Sequence, residues 1–286
     1  MISDITLGQF FPGFSPLHKL DPRTKILLAI LFMVAVFLVK NPLGFLLILL
    51  VTVFLIALSR ISFKVVLRGI RPLIIILIFT SLINLFMTKG AGEPLVALGF
   101  LKIYKEGIIR AVFMSLRVII LILGSSVLLT YTTSPISLTD GIESLLKPLK
   151  LLHVPVHLFA MMMTIALRFI PTLVEETEKI MNAQKARGAD FSSGGLIKRA
   201  KALIPILIPL FVSSFKRAEE LATAMECRCY RGDKNRTKYV ELKYRARDYI
   251  WFFAAAVLFA AVILMRILPY KFELNNILFD ILFYRL

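Results

Sequence analysis

Charged and apolar positions alternate along this chain in long blocks rather than residue by residue. Uncharged apolar runs occupy Ile26–Val39, Pro42–Leu58, Pro72–Thr88, Val118–Thr132 and Tyr249–Met265. A helix needs ~20 largely apolar residues to cross a ~30 Å hydrocarbon core, so these runs predict five crossings. The first is short, and extending it back to Lys25, with that lysine snorkelling to the interface, restores most of the length. The fourth extends back to about Gly107 and takes in Arg110 and Arg117. Lys40-Asn41-Pro42 separates the first two spans as a tight turn, because proline disfavours helix at the residue before it.

Between the fourth and fifth runs the pattern changes. Thr133–Asp248 is too long to be a structureless connection, and it divides into three helical pieces. Ser137–Leu149 opens on Ser137 and Thr139 as candidate N-caps and carries Ile142, Leu145 and Leu146 at helical spacing. Pro155–Arg187 begins with proline and ends at Gly188, the asymmetry expected of helix ends. Pro171 falls where its apolar half meets its charged half and should kink it. Leu196–Tyr230 follows Ser192-Ser193-Gly194-Gly195, with Pro205 and Pro209 predicting a kink in its apolar half. Both long pieces begin like membrane helices and end like soluble amphipathic ones, and they read as lying obliquely at the inner face rather than crossing it. The organisation is a transmembrane bundle over 1–132, a coupling-helix domain over 133–248, and a last span with a tail over 249–286.

Composition supports the membrane assignment: 58% of 286 residues are apolar and 19% charged, with mean hydropathy +0.81. The fold class is therefore an all-α polytopic membrane protein. A net charge of +17 raises nucleic acid as a partner. The cations, however, flank the spans, where orientation in a membrane places them, and no basic stripe is interleaved with aromatics, so nucleic acid is excluded. Ser59–Arg71 holds Arg60, Lys64, Arg68 and Arg71 without an acid and reads as cytoplasmic; Lys89–Glu106 mixes lysines with glutamates and reads as external. The N-terminus, with Lys19, Arg23 and Lys25, then falls inside, as does Thr133–Asp248, and the C-terminus falls outside. Met1–Leu20 lacks the features of a signal peptide.

Few residues offer chemistry. No G-x-x-x-x-G-K-[ST] sequence occurs, so a P-loop ATPase is excluded, and neither H-E-x-x-H nor G-x-S-x-G is present. His153 and His157 have the i, i+4 spacing of a metal pair, but Pro155 lies between them and a chance pair at a helix start explains them better. Cys227 and Cys229 cannot staple distant elements and, without a second thiol pair, do not make a zinc site. Arg110 and Arg117 lie on one helical face, where an arginine in lipid marks either a pathway or a structural pairing; Arg117 is the deeper of the two. The clusters at Glu175, Glu176, Glu178, Lys179 and at Lys216, Arg217, Glu219, Glu220 read as solvated faces.

Two short motifs stand apart. Each long helix runs out into an arginine between small residues: Ala186-Arg187-Gly188 and Cys227-Arg228-Cys229. A cation near a helix C-terminus gains only ~0.3–1 kcal/mol from the macrodipole, which does not require two helices to end alike. Small neighbours let another protein approach the backbone while a guanidinium reaches into its carboxylates or carbonyls. The motifs therefore read as docking tips.

Together with Asp21-Pro22-Arg23-Thr24-Lys25 before the first span and Ala166-Leu167-Arg168-Phe169-Ile170-Pro171, these motifs make the chain resemble the transmembrane T component of energy-coupling factor transporters, over roughly Leu7–Tyr270. The resemblance implies a scaffold without enzymatic activity or cofactor of its own. Two ABC-type ATPases, which bind the ATP, would dock at Ala186, Arg187, Gly188 and at Cys227, Arg228, Cys229. A substrate-binding S component would rest on apolar faces that include Met161, Met162, Met163, Ile206 and Leu210. It further implies uptake of a vitamin or other micronutrient at the plasma membrane of a prokaryote. The second motif departs from Ala-Arg-Gly by having Cys on both sides, and Arg231-Gly232 offers a rival register. Pro269–Leu286 receives no role. A self-contained secondary transporter would show paired repeats with broken helices, and an intramembrane enzyme would place acids, nucleophiles or metal ligands within a span; neither pattern is visible.

Overall fold

The structure, a computed structural model, describes residues 10–88, 96–98, 101–191, 195–232 and 242–267. The tail at 269–286, the Ser-Gly link at 192–194 and most of the link at 89–100 lie outside the described residues. The fold is all-α apart from one strand pair, as the apolar blocks predict. Helices α1 (Pro22–Leu38) and α2 (Pro42–Ser59) follow one another across a short turn; a short α3 (Phe63–Arg68) and a 3₁₀ turn lead into α4 (Ile74–Met87). Strands β1 (Val96–Leu98) and β2 (Leu101–Ile103) pair antiparallel, Val96 opposite Ile103, before α5 (Lys105–Ser125). The sequence pattern assigns no element to this link. Helix α5 closes in a π-helical turn, Ser126–Tyr131; α6 (Pro135–Leu145), α7 (Val156–Ala186), α8 (Leu196–Cys227) and α9 (Ala246–Ile267) follow.

Two compact units result. One contains residues 10–134 with 242–267, the other residues 135–191 with 195–232.

In the first unit α1 is central, packing on α9, on α5 and on the π-turn, while α2 and α4 pack on α5. Ala29, Phe32 and Val36 of α1, Ile48 of α2, Ile120 of α5 and Val262 of α9 are all buried. Phe32 seats on Gly124, where an added Cβ would fall 2.2 Å from its ring. The start of α1 differs from expectation. Asp21 caps it, accepting a hydrogen bond from the Arg23 amide (2.9 Å), with Pro22 at the first helical position, so α1 begins four residues before Ile26. Lys25 does not snorkel. It is 2% exposed, and its Nζ donates to the Thr132 carbonyl at the end of the π-turn (2.7 Å), a group the helix end leaves open. Asp248, in the first turn of α9, accepts from the Asp21 amide (3.0 Å) and from the Arg245 amide (2.8 Å). The guanidinium of Arg23 lies over Tyr244, 4.5 Å from the ring centroid, and donates to the Leu242 carbonyl. The Asp-Pro-Arg-Thr-Lys sequence thus ties together the beginnings of α1 and α9 and the end of α5.

At the other end of this unit, Asn41 Nδ2 donates to the Met265 carbonyl (2.9 Å). Arg117 donates to the Val39 carbonyl at the end of α1 (2.7 Å) and stacks over Phe45 at 5.1 Å, so this intramembrane arginine is a structural staple. Arg110 is exposed.

Five helical stretches among the described residues are long and apolar enough to cross a membrane: Pro42–Ser59, Phe63–Met87, Glu106–Tyr131, Val156–Ala186 and Ala246–Ile267. The set differs from the sequence expectation at two places. Helix α1, with 17 residues, reaches only ~26 Å at a rise of about 1.5 Å per residue, and α7, read as oblique, has the length and hydropathy of a span.

In the second unit α6 and α8 each pack on α7. Helix α6 starts at Pro135, before the expected Ser137, and ends at Leu145, short of the expected Leu149; a 3₁₀ segment, Lys147–Leu152, with Pro148 in its first turn, follows. Both α7 and α8 stay helical through their internal prolines, Pro171, Pro205 and Pro209.

Candidate functional site: two capped tips and their crossing

The two arginine motifs have the same backbone. Helix α7 ends with Arg187 as its C-cap; Gly188 follows in the left-handed region at φ 87°. The Gly188 amide bonds to the Lys185 carbonyl (2.9 Å) and the Ala189 amide reaches back to Gln184 (3.0 Å). Helix α8 ends with Arg228 as its C-cap, and Cys229 follows at φ 57°. The Cys229 amide bonds to Glu226 (2.8 Å) and the Tyr230 amide to Met225 (3.0 Å). Each is a Schellman motif with both of its hydrogen bonds in place. Arg187 and Arg228 therefore occupy one equivalent position, the last residue before the chain reverses, and both are exposed. Helix α8 stops three residues before the expected Tyr230 because this cap terminates it. Arg231 lies beyond the cap, so it is not the structural counterpart of Arg187. Ala186, Gly188, Cys227 and Cys229 are exposed as well, and both thiols are free. The backbone of the first tip is open among the described residues: a Cβ at Gly188 would meet no atom within 4 Å.

The helices that carry these tips meet at one polar node. Glu176 of α7 accepts a hydrogen bond from Ser213 of α8 and forms an ion pair with Arg217. The node lies eleven residues before each tip, from Glu176 to Arg187 and from Arg217 to Arg228. At a rise of about 1.5 Å per residue, two arms of ~16 Å extend from a shared crossing. The sequence pattern places Glu176 and Arg217 on solvated faces; their equal spacing from the two motifs is the one signal that could have joined them.

Before the crossing, both helices expose apolar surface. On α7, Phe159, Met162 and Met163 are more than half exposed and Met161 is half-buried. On α8, Leu203, Ile204, Leu207, Ile208, Phe211, Val212 and Phe215 are exposed, whereas Leu210 is half-buried and Ile206 is buried at 4%. Ile206 therefore cannot present a surface to a partner. The outward face of α8 is carried by its neighbours, on a helix apolar at nearly every position over 203–212.

The histidine pair does not converge. His153 ends the 3₁₀ segment in a left-handed conformation, while Nδ1 of His157 bonds to the buried Glu143 of α6 (3.1 Å). No cluster of three or more metal-ligating residues occurs among the described residues.

These features define an all-α, multi-pass membrane protein that exposes two like-capped arginines and, before the helix crossing, apolar faces of α7 and α8. Residues 13–239 match the family described as cobalt transport protein, CbiQ, and the chain belongs to that family. The energy-coupling factor transporter transmembrane protein EcfT of Clostridium kluyveri is 55% identical over 267 residues, spanning 93% of this chain and 98% of that protein. The proteins of the same name from Ruminiclostridium cellulolyticum and Bacillus subtilis are 53% and 47% identical, each over 266 residues and 93% of this chain, covering 98% and 100% of those proteins. The resemblance drawn from the paired arginine motifs and the Asp-Pro-Arg-Thr-Lys start holds at the level of the family. The chain is a transmembrane transporter component.

Proposed function

We propose that this chain is the coupling scaffold of an energy-coupling factor transporter, with its N-terminus and both arginine tips on the cytoplasmic side. Two ABC-type ATPases bind and hydrolyse the ATP; one docks at Ala186-Arg187-Gly188 and the other at Cys227-Arg228-Cys229. The observation that carries this reading is the pair of equivalent caps. Each holds an arginine clear of its own helix, where a planar guanidinium can enter a groove lined by acceptors. The shared position of Arg187 and Arg228 in these caps favours Arg228 over Arg231 as the second docking residue. An S component that supplies specificity for a vitamin or other micronutrient rests on the exposed apolar faces around Met161, Met162 and Met163 and on the α8 face that includes Leu210. Methionine-rich surfaces repack readily, which suits a partner that must bind and leave. ATPase closure moves the tips, and the arms carry that motion through the Glu176 crossing to the apolar halves.

The test is Arg187→Glu and Arg228→Glu, singly and together, followed by co-purification from membranes. Each single variant is expected to lose most of one docking interaction and the double variant to lose both ATPases. ATPases retained at wild-type yield by the double variant overturn the proposal.

A further inference from the structure

The first unit carries a cleft that the coupling role does not use. It has a volume of about 180 Å³ and is lined only by apolar side chains of α1, α2, α9 and the π-turn. Phe32 is among the lining residues, its ring seated on Gly124. Val51 and Phe54 of α2 make one wall. The other wall is α9, which presents Ala254 and Ala255 where larger residues would close the space, with Trp251 at one end.

The ends of the cleft differ in charge. Asp21 contacts Asp248, so α1 and α9 begin together, while Asn41 contacts Met265 at their far ends. Arg117 touches both the end of α1, at the Val39 carbonyl, and the start of α2, at Phe45, and both helices line the cleft, so α2 runs back along it and finishes at the end where α9 starts. That end holds Arg60, the C-cap of α2, and Arg247, four residues before Trp251 on the same face of α9; both are exposed. The acids at this end, Asp21 and Asp248, are buried and bonded to backbone amides. Exposed Tyr244 and Tyr249 precede Trp251, the residue types of a membrane interface.

From this arrangement we propose that the cleft is a binding site for an anionic phospholipid. One acyl chain lies over Phe32 between α2 and α9, and the phosphate sits among Arg60 and Arg247. An apolar groove at membrane depth holds hydrocarbon, and cations at its mouth select the headgroup. Each arginine near an anionic surface contributes about fivefold in affinity, so the two together, reduced by ionic screening of exposed charges, favour an anionic over a zwitterionic lipid on the order of tenfold.

Trp251 is the single tryptophan of the chain, so its fluorescence reports the site directly. The full chain, reconstituted in nanodiscs, is titrated with brominated phosphatidylglycerol or brominated phosphatidylcholine. Half-maximal quenching is expected at roughly tenfold lower mole fraction of phosphatidylglycerol. That preference disappears in the double variant Arg60→Gln/Arg247→Gln, and quenching itself falls sharply in Ala255→Leu, whose side chain fills the groove. The two surface arginine substitutions keep the test valid if the filled variant does not fold. Equal quenching by the two lipids, or a preference unchanged in the arginine variant, overturns the headgroup assignment. Unchanged quenching in a folded Ala255→Leu protein, or loss of quenching only when a protein partner is added, overturns the acyl-chain site.

Discussion

Cys229 sits where Gly188 sits in the other cap, and the two residues differ in what that backbone position costs. A left-handed conformation is about 1–2 kcal/mol unfavourable for a residue with a Cβ and nearly free for glycine. Cys229 is exposed, so Cys229→Gly removes strain without opening a cavity. Gly188→Ala imposes the same strain on the first tip, and the added Cβ meets no neighbouring atom, so the cost is conformational alone. Taking ~1 kcal/mol as the change, opening of each cap shifts by about fivefold. Hydrogen exchange read by mass spectrometry follows the amides that close the motifs, those of Cys229 and Tyr230 in one tip and of Gly188 and Ala189 in the other. Exchange at the second tip is expected to slow about fivefold in Cys229→Gly, and exchange at the first to quicken about fivefold in Gly188→Ala. If neither rate moves, or if both variants act in the same direction, the two ends are not held by equivalent caps and the argument from their geometry fails.

Other substitutions test the packing that positions the tips. Arg217→Ala and Glu176→Gln should each loosen the α7–α8 crossing, with a coupling of ~1 kcal/mol in a double-mutant cycle, modest because Arg217 is 39% exposed; unfolding in denaturing detergent measures it, and the charge-swapped pair Glu176→Arg/Arg217→Glu should recover part of the loss. Asp248→Ala leaves two backbone amides without their acceptor and should destabilise the bundle by ~3 kcal/mol, visible as a lowered Tm in a thermal shift assay. Gly124→Ala drives a Cβ to 2.2 Å from Phe32 and should cost ~1–3 kcal/mol, relieved when Phe32→Leu is combined with it.

Those residues also mark how far the sequence could be read. The runs at 42–58, 72–88 and 249–265 are spans because an unbroken apolar block at that length has few other uses, and the motif arginines were visible because each closes a long helix between small residues. Lys25 was misread because its partner, the Thr132 carbonyl, is 107 residues away; local pattern offers a lysine beside lipid no option except snorkelling. Ile206 was misplaced for a related reason. On a helix apolar at nearly every position over 203–212, periodicity does not choose a face, and packing alone buries Ile206 while leaving Leu207 and Ile208 outside. Glu176 and Arg217 looked like ordinary surface charges because each finds its partner only when two helices cross. The equivalence of Gly188 and Cys229 needed backbone angles, since nothing in a cysteine announces a left-handed cap.

The central claim, that the two tips are separate docking points for two ATPases, is tested most directly by photocrosslinking. A benzophenone amino acid placed at Lys185 in one variant and at Glu226 in another reports what each tip touches in native membranes. The account predicts an ATPase adduct from each position, lost from the first when Arg187→Glu is added and from the second when Arg228→Glu is added. Absence of ATPase adducts at both positions, or adducts that persist unchanged with the arginines reversed, would contradict it.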